Sequence, residues 1–268
     1  MNDFNNIFII TDLDGTLLND QHKISQENLE AIDFFVKNGG DFTIATGRTR
    51  YSAKPYIKQL PITQPVILGN GCRVYDPTKD TDLFQVDLPV DILPMVKDIA
   101  NKYPKMGIQT YKDEMAVILN SSDYTTDQFD IENIPLKHSR IDSLPLPWMK
   151  IIFASTNDKL TELRDYILRK YTNYNPIFSH QYYLEILPVE ATKGKALEFL
   201  INNSPNLDGK KVYTIGDQPN DISLLEVGQI KAAVANAHPD LKLKAHIEVN
   251  HHNDHALADL INRISLGL

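Results

Sequence analysis

A single cysteine in 268 residues, Cys72, has no partner within the chain, so an internal disulfide is excluded and a reducing, cytoplasmic setting is expected. Basic residues are in deficit. Lysine and arginine number 27 against 35 aspartates and glutamates, a formal charge of −8. That balance gives the chain no general electrostatic footprint for nucleic acid. No segment approaches the roughly 20 apolar residues of a membrane helix, and Met1-Asn2-Asp3-Phe4 lacks the positive region of a leader. Internal repeats and low-complexity tracts are also missing. What is present is ordinary globular composition, 42% hydrophobic and 23% charged, enough for one large domain or for a core with a smaller companion.

The most informative stretch is Ile10-Thr-Asp-Leu-Asp-Gly-Thr-Leu-Leu18. The apolar run Ile7-Phe8-Ile9-Ile10 reads as a buried strand. Alternation along extended chain sends Leu13 one way and Asp12 and Asp14 the other, and Gly15 allows a sharp turn. Two like charges this close repel unless a cation or a shared proton offsets them. A divalent metal is the simplest remedy, and it points to chemistry on an anionic substrate.

The first third of the chain alternates strand and helix. Leu29, Ile32, Phe35 and Val36 share one helical face that ends at Gly39-Gly40, and Phe42–Thr46 and Pro65–Leu68 read as further strands. This βαβ rhythm implies an α/β fold with a parallel sheet. Pro77–Asp80 reads as a linker. Beyond it, helices carrying Val96, Ile99, Ala100 and Tyr103, and then Leu160, Leu163, Ile167 and Tyr171, are mixed with strand-like runs at Met115–Leu119, Met149–Ala154 and Tyr182–Leu187, with a loop over Pro135–Pro147. They suggest an inserted α+β unit. The parallel pattern then resumes, with a helix at Ala196–Ile201, strands at Val212–Ile215, Ala232–Ala235 and His246–Val249, and a last helix behind Asp254 as its cap.

Three more groups stand at the ends of predicted parallel strands or open a helix. Thr46-Gly47-Arg48 offers a hydroxyl and backbone N–H groups. Lys193 opens a helix, where a lysine favours phosphate. Gly216-Asp217-Gln218-Pro219-Asn220-Asp221 supplies two carboxylates and an amide. Each alone is common turn or surface chemistry; together they make one pocket for an anion and a metal.

In that order the four groups resemble the four motifs of the haloacid dehalogenase superfamily, and the chain looks like its Cof-type branch of sugar-phosphate phosphatases. Asn70-Gly71-Cys72-Arg73 resembles the branch's Asn-Gly-Ala element, with cysteine for alanine. Glu185-Ile186-Leu187-Pro188 before Lys193-Gly194 resembles its return to the core. The tail from Val249 to Ala258 lacks the Gly-Val-Ala that many relatives carry there.

The resemblance implies a Rossmann-like core of residues 1–81 and 187–268, with an α+β cap at 82–186 that closes over the substrate and sets specificity. It implies that Asp12 is the nucleophile and Asp14 the general acid and base. Mg²⁺ would sit on the Asp12 carboxylate, the Asp14 carbonyl and Asp217, with Asp221 holding metal-bound water. Leu13, Thr46, Gly47, Lys193 and Asn220 would surround the phosphoryl group. The implied partner is a small phosphorylated metabolite, with neither nucleic acid nor membrane involved, and the chain is expected as a monomer or weak homo-oligomer. A phosphomutase and a phosphate-binding protein without turnover are the alternatives. His251 and His255 have the i,i+4 spacing of a helical zinc pair, but with His252 they read as a solvated loop.

Overall fold

The opening apolar run becomes the axis of the first of two compact units. The computed structural model describes residues 3–112, 115–125, 134–171, 173–174 and 176–267. The first unit comprises Met1–Arg48, Ala53–Gln85 and Thr192–Leu268; the second comprises Val86–Ala191 with Thr49–Ser52. Among the described residues no helix is long and apolar enough to cross a membrane.

The first unit begins with strand β1 (Ile7–Thr11), helix α1 (Gln26–Lys37), β2 (Asp41–Ile44), α2 (Arg50–Ile57), β3 (Val66–Leu68), β4 (Arg73–Asp76) and β5 (Thr81–Gln85). Ser25 starts α1 by accepting the Asn28 amide on its hydroxyl, and Gly39, at φ 96°, lets the chain leave it. Pro65–Leu68 lies parallel beside the end of β2, as the βαβ rhythm suggests, but extends that sheet by no more than a single bridge. β3 touches that sheet only through an Ala45–Ile67 bridge and instead pairs antiparallel with β4, which pairs with β5. Residues 77–80 are therefore the turn of a β4–β5 hairpin and not a linker. The Asp76 carboxylate fixes that turn by accepting from the Thr78 and Lys79 amides.

The second unit runs α3 (Ile92–Lys102), β6 (Gly107–Lys112), β7 (Met115–Asn120), β8 (Leu136–His138), β9 (Ile151–Ala154), α4 (Asn157–Lys170), β10 (Pro176–His180) and β11 (Tyr183–Ile186). The expected loop at Pro135–Pro147 thus contains a short strand, paired parallel to β7. One sheet in the order β10-β11-β9-β6-β7-β8 buries Ile108, Ile151, Phe153 and Leu184 against Ile99, Leu160 and Leu163 of the two helices. On alternate positions a buried Lys150 donates to both oxygens of Glu185 at 3.2 and 3.1 Å.

The first unit closes with α5 (Lys193–Asn202), β12 (Lys211–Gly216), α6 (Ile222–Val227), β13 (Ile230–Val234), α7 (Pro239–Lys242), β14 (Ile247–Val249) and α8 (Ala256–Ser265). Its parallel sheet has the order β14-β13-β12-β1-β2, so β1 is flanked on both sides. Strand alternation then divides β1 between two cores. Ile9 joins the layer of Ile32, Phe35, Leu257 and Leu260, whereas Phe8 and Ile10 join Ala196, Leu197 and Leu224. Each of these large side chains contributes roughly 1.5–3 kcal/mol by leaving water. A strand buried on both faces must have apolar residues at successive positions, and the Ile-Phe-Ile-Ile run meets that requirement.

Asp254 does not cap α8. It lies in a 3₁₀ turn, and the cap position falls to His255, in left-handed backbone at φ 60°, ψ 52° and with no side-chain cap bond. The fold makes this left-handed turn with a residue that has a Cβ. A left-handed non-glycine residue costs about 1 kcal/mol. His255→Gly is expected to raise stability by up to that amount, measured by urea denaturation; a loss of stability would show that the Glu27 contact at 3.5 Å outweighs the strain.

Candidate active site

Adjacent parallel strands end side by side, so the residues following β1 and β12 are neighbours although 200 positions apart. β1 and β12 pair through Thr11 and Ile215, and the Asp12 amide continues the ladder by donating to the Ile215 carbonyl at 3.0 Å. That bond sets Asp12 beside the loop carrying Asp217 and Asp221. α5 brings Lys193 to the same place: Thr192 caps the helix with its hydroxyl, and Gly194 packs where a Cβ would lie 2.3 Å from the Ser223 carbonyl oxygen.

The result is a charge cluster almost without solvent. Lys193 Nζ donates to Asp12 Oδ1 and to Asp221 Oδ1, both at 2.6 Å, and its side chain is 0% exposed. The other oxygen of Asp221 accepts from the Asp217 and Gln218 amides at 3.0 and 3.2 Å. Asp217 in turn accepts from the Thr16 hydroxyl at 3.2 Å and the Gln218 side chain at 3.1 Å. Gly15, at φ 76°, makes this approach possible, because a Cβ there would fall 2.4 Å from Asp217 Oδ2.

Three buried carboxylates share one ammonium, and their acidities record the imbalance. Burial pushes Asp12 well above the usual carboxylate range; Lys193 opposes this, while Asp221, Asp217 and Asp14 add to it. Burial, reinforced by Asp221, pushes Asp217 up to about 6. Burial works against the charge on Lys193, but Asp12 and Asp221 outweigh it and push its pKa up. Oxygens of Asp12, Asp217 and Asp221 lie within 4.8 Å of one another. A hard, oxygen-only donor set with excess negative charge fits a divalent cation such as Mg²⁺. Asp221 is tied to the Lys193 ammonium and to two backbone amides, whereas Asp217 accepts only from the Thr16 hydroxyl and the Gln218 side chain, so Asp12 and Asp217 are the carboxylates better placed to hold it.

Asp14 stands apart from this cluster. Arg48 forks it, with Nε on Oδ2 at 2.7 Å and Nη2 on Oδ1 at 2.6 Å, and His22 approaches Oδ1 at 3.7 Å. The Asp14 side chain is 43% exposed while the guanidinium is 6% exposed, so a buried cation holds a carboxylate that still reaches solvent. Thr46, Gly47 and Asn220 meet through a residue outside the expected set. Asn70, left-handed at φ 58°, donates its amide to the Thr46 carbonyl, accepts from Asn220 Nδ2 at 3.0 Å, and lies 3.1 Å from where a Gly47 Cβ would be. Leu13 is fully buried in the core, so only its backbone can meet an oxyanion.

Sequence reasoning named Arg48 and Asn70 within motifs but gave neither a role in the site. The signals were there: an arginine two residues after Thr46, and an asparagine between glycines where the chain must turn left-handed. His252 also departs from the solvated loop expected of it. Its side chain is 11% exposed.

Two substitutions should move stability in opposite directions in chelated protein. Lys193→Met leaves the carboxylates without their buried cation and should cost about 3 kcal/mol or more. Asp217→Asn removes a charge whose ionisation burial disfavours, and should stabilise by about 2 kcal/mol at neutral pH. The sign for pH follows. Folded Asp217 takes up its proton near pH 6 and an unfolded aspartate only near its ordinary 3.8, so the folded state binds more protons in between. Chelated wild-type protein should therefore gain stability as pH falls from about 7 to about 5, and Asp217→Asn should flatten that slope. An unchanged slope in urea titrations would remove Asp217 as its source.

Comparison with known proteins agrees with this geometry. Residues 9–261 match the family model for haloacid dehalogenase-like hydrolases. The 5-amino-6-(5-phospho-D-ribitylamino)uracil phosphatase YwtE of Bacillus subtilis is 29% identical over 97% of this chain and 98% of its own. The HMP-PP phosphatase of Serratia proteamaculans is 29% identical over 86% of this chain and 84% of its own. A haloacid dehalogenase-like hydrolase from Bacteroides thetaiotaomicron superposes with a TM-score of 0.85, at 25% identity over 96% of this chain and 99% of that one. With its motifs gathered at the strand ends of one sheet and at the helix that opens beside them, and a match along almost its whole length, the chain belongs to the haloacid dehalogenase-like hydrolases and is a phosphoric monoester hydrolase.

Proposed function

We propose that the protein hydrolyses small phosphomonoesters through an aspartyl-phosphate on Asp12, with Mg²⁺ as cofactor. The observation that carries this reading is Asp12 bonded to Lys193 and flanked by Asp217 and Asp221 at the end of β1. An ionised carboxylate can attack phosphorus without first losing a proton, and Lys193 favours the ionised form against burial. Bound between Asp12, Asp217 and the Asp14 carbonyl, Mg²⁺ would supply positive charge for the phosphoryl oxygens.

The remaining steps belong to the chain's own groups. Lys193, the Thr46 hydroxyl, the Gly47 amide and the Asn220 side chain offer donors to the phosphoryl oxygens, the electrostatic part of phosphoryl transfer. Asp14 hands a proton to the leaving alcohol and afterwards takes one from the attacking water. The Arg48 fork takes one acceptor site on each Asp14 oxygen and leaves the others, on a side chain that still reaches solvent, for either transfer. Asp221, with both oxygens engaged, holds the Asp217 loop in place.

The leaving alcohol is assigned to the inserted unit. All the groups named for phosphoryl transfer belong to the first unit, so discrimination among substrates falls to residues of the second. YwtE and the HMP-PP phosphatase are named for different small phosphorylated compounds, consistent with one transfer centre serving several leaving groups.

The test is a screen of phosphorylated metabolites with Mg²⁺, scoring phosphate release. Asp12→Asn is expected to abolish release while the protein remains folded by circular dichroism; substantial residual turnover would remove Asp12 as nucleophile. Mg²⁺ should be required and Ca²⁺ should inhibit, since calcium takes a looser, higher coordination. Full activity after exhaustive chelation would overturn the metal assignment. A sugar phosphate returned as an isomer, without free phosphate, would favour a mutase.

A further inference from the structure

The turn that carries Asp14 is held from outside by three side chains. From Leu13 to Leu18 it is one tight loop, in which the amides of Thr16, Leu17 and Leu18 all converge on the Leu13 carbonyl. The carbonyls of Gly15, Leu17 and Leu18 each accept from a side chain outside that loop. Asn236 Nδ2 supplies the Gly15 carbonyl at 2.7 Å, Asn28 Nδ2 the Leu17 carbonyl at 3.5 Å, and His252 Nδ1 the Leu18 carbonyl at 2.8 Å. A carbonyl only accepts, so His252 carries its proton on Nδ1.

Each donor is itself tied to the C-terminal segment. Asn236 Oδ1 accepts the His252 amide at 3.0 Å, and Asn28 Oδ1 accepts the Ala258 amide at 3.0 Å. Two asparagines thus bridge the same two stretches of backbone, one amide face toward the turn and the other toward residues 252–258. Asn253 adds a reciprocal pair, accepting the Asp20 amide at 3.0 Å and donating to its carboxylate at 2.8 Å. His252 Nε2 lies 3.3 Å from the other Asp20 oxygen. Asn28 is fully buried, and exchanging it for an apolar residue would orphan both backbone groups.

We infer that Asn236, just after β13, and His252, on the C-terminal segment, are positioning residues for Asp14, acting through the Gly15 and Leu18 carbonyls to fix the direction in which its carboxylate leaves the turn. The inference rests on the proposed phosphatase reading for its kinetic consequence, but not for its structural one. Neither residue reaches Lys193, Asn70 or Thr46 by hydrogen bond, so the groups assigned to the phosphoryl oxygens are left in place. What loosens is the acid. A poor alkoxide leaving group needs its proton; p-nitrophenolate hardly does.

In single turnovers, which report the first half-reaction and not the later hydrolysis in which Asp14 also acts, His252→Ala should slow release of the alcohol from the best alkyl phosphate of the screen by about tenfold or more, and slow release of p-nitrophenolate by less than about threefold. His252→Asn, whose amide nitrogen can replace Nδ1, should recover most of the loss, whereas His252→Gln, whose longer side chain places its nitrogen elsewhere, should not. Asn236→Ala should follow His252→Ala. A general structural defect would lower both esters together; that result, or a His252→Asn variant no better than alanine, would overturn the inference. Amide hydrogen exchange at Thr16, Leu17 and Leu18 supplies the readout independent of turnover, with faster exchange expected in His252→Ala and unchanged exchange counting against the strap. If the wild-type protein hydrolyses neither ester, the phosphatase reading fails while the exchange result still decides whether the strap exists.

Discussion

A single ammonium group among three carboxylates governs the rest of this structure. Lys193 is fully enclosed and spends two hydrogen bonds on Asp12 and Asp221, yet a third acid, Asp217, presses on the same space. Isolated, each buried charge would be too costly to keep. Together they are tolerable because every oxygen of Asp221 and Asp217 has a donor, and because the strand ends that bring them together are locked by parallel pairing. The surplus of negative charge is what prepares the site for a cation and, through it, for a phosphoryl group.

Around this cluster the two carboxylates of the first motif are treated differently. Asp12 is buried and faces Lys193; Asp14 is turned outward and faces Arg48. Alternation places them on the same side of the chain, but the tight turn after Asp12 rotates the second away from the first. Two acids of one motif therefore meet different cations, a physical basis for giving them different tasks.

Much of this was legible in the sequence. Ile7–Ile10 had to be a doubly buried strand because it offered no polar face, and its neighbours followed from apolar runs ended by glycine or aspartate. The charged groups could be gathered because each closed a strand or opened a helix. What stayed hidden depended on partners far apart in sequence. Pro65–Leu68 has the composition of a central strand, and only its pairing with Arg73–Asp76 shows that it belongs to another sheet. Arg48 looks like a loop residue until Asp14 is found across from it. Asn28, Asn236 and His252 carry no periodicity and no motif; their role comes from backbone carbonyls that no sequence pattern marks. His255 defeats a simple rule for another reason, since left-handed backbone favours glycine without requiring it.

The sheet order has a consequence for how the chain is made. β1 is synthesised well before one of its two lateral neighbours, β12, which begins about 200 residues later at Lys211, and the entire second unit is completed in between. A nascent chain ending near residue 190 can hold β1 against β2 but leaves one edge open, with Asp12 lacking both Lys193 and the ladder bond from Ile215. An apolar edge of this kind invites pairing with other chains. The second unit, continuous apart from Thr49–Ser52, can bury its own helices and sheet during that interval. The charge cluster can form only when Lys193 and the Asp217–Asp221 loop arrive, so its assembly reports that β12 has joined β1.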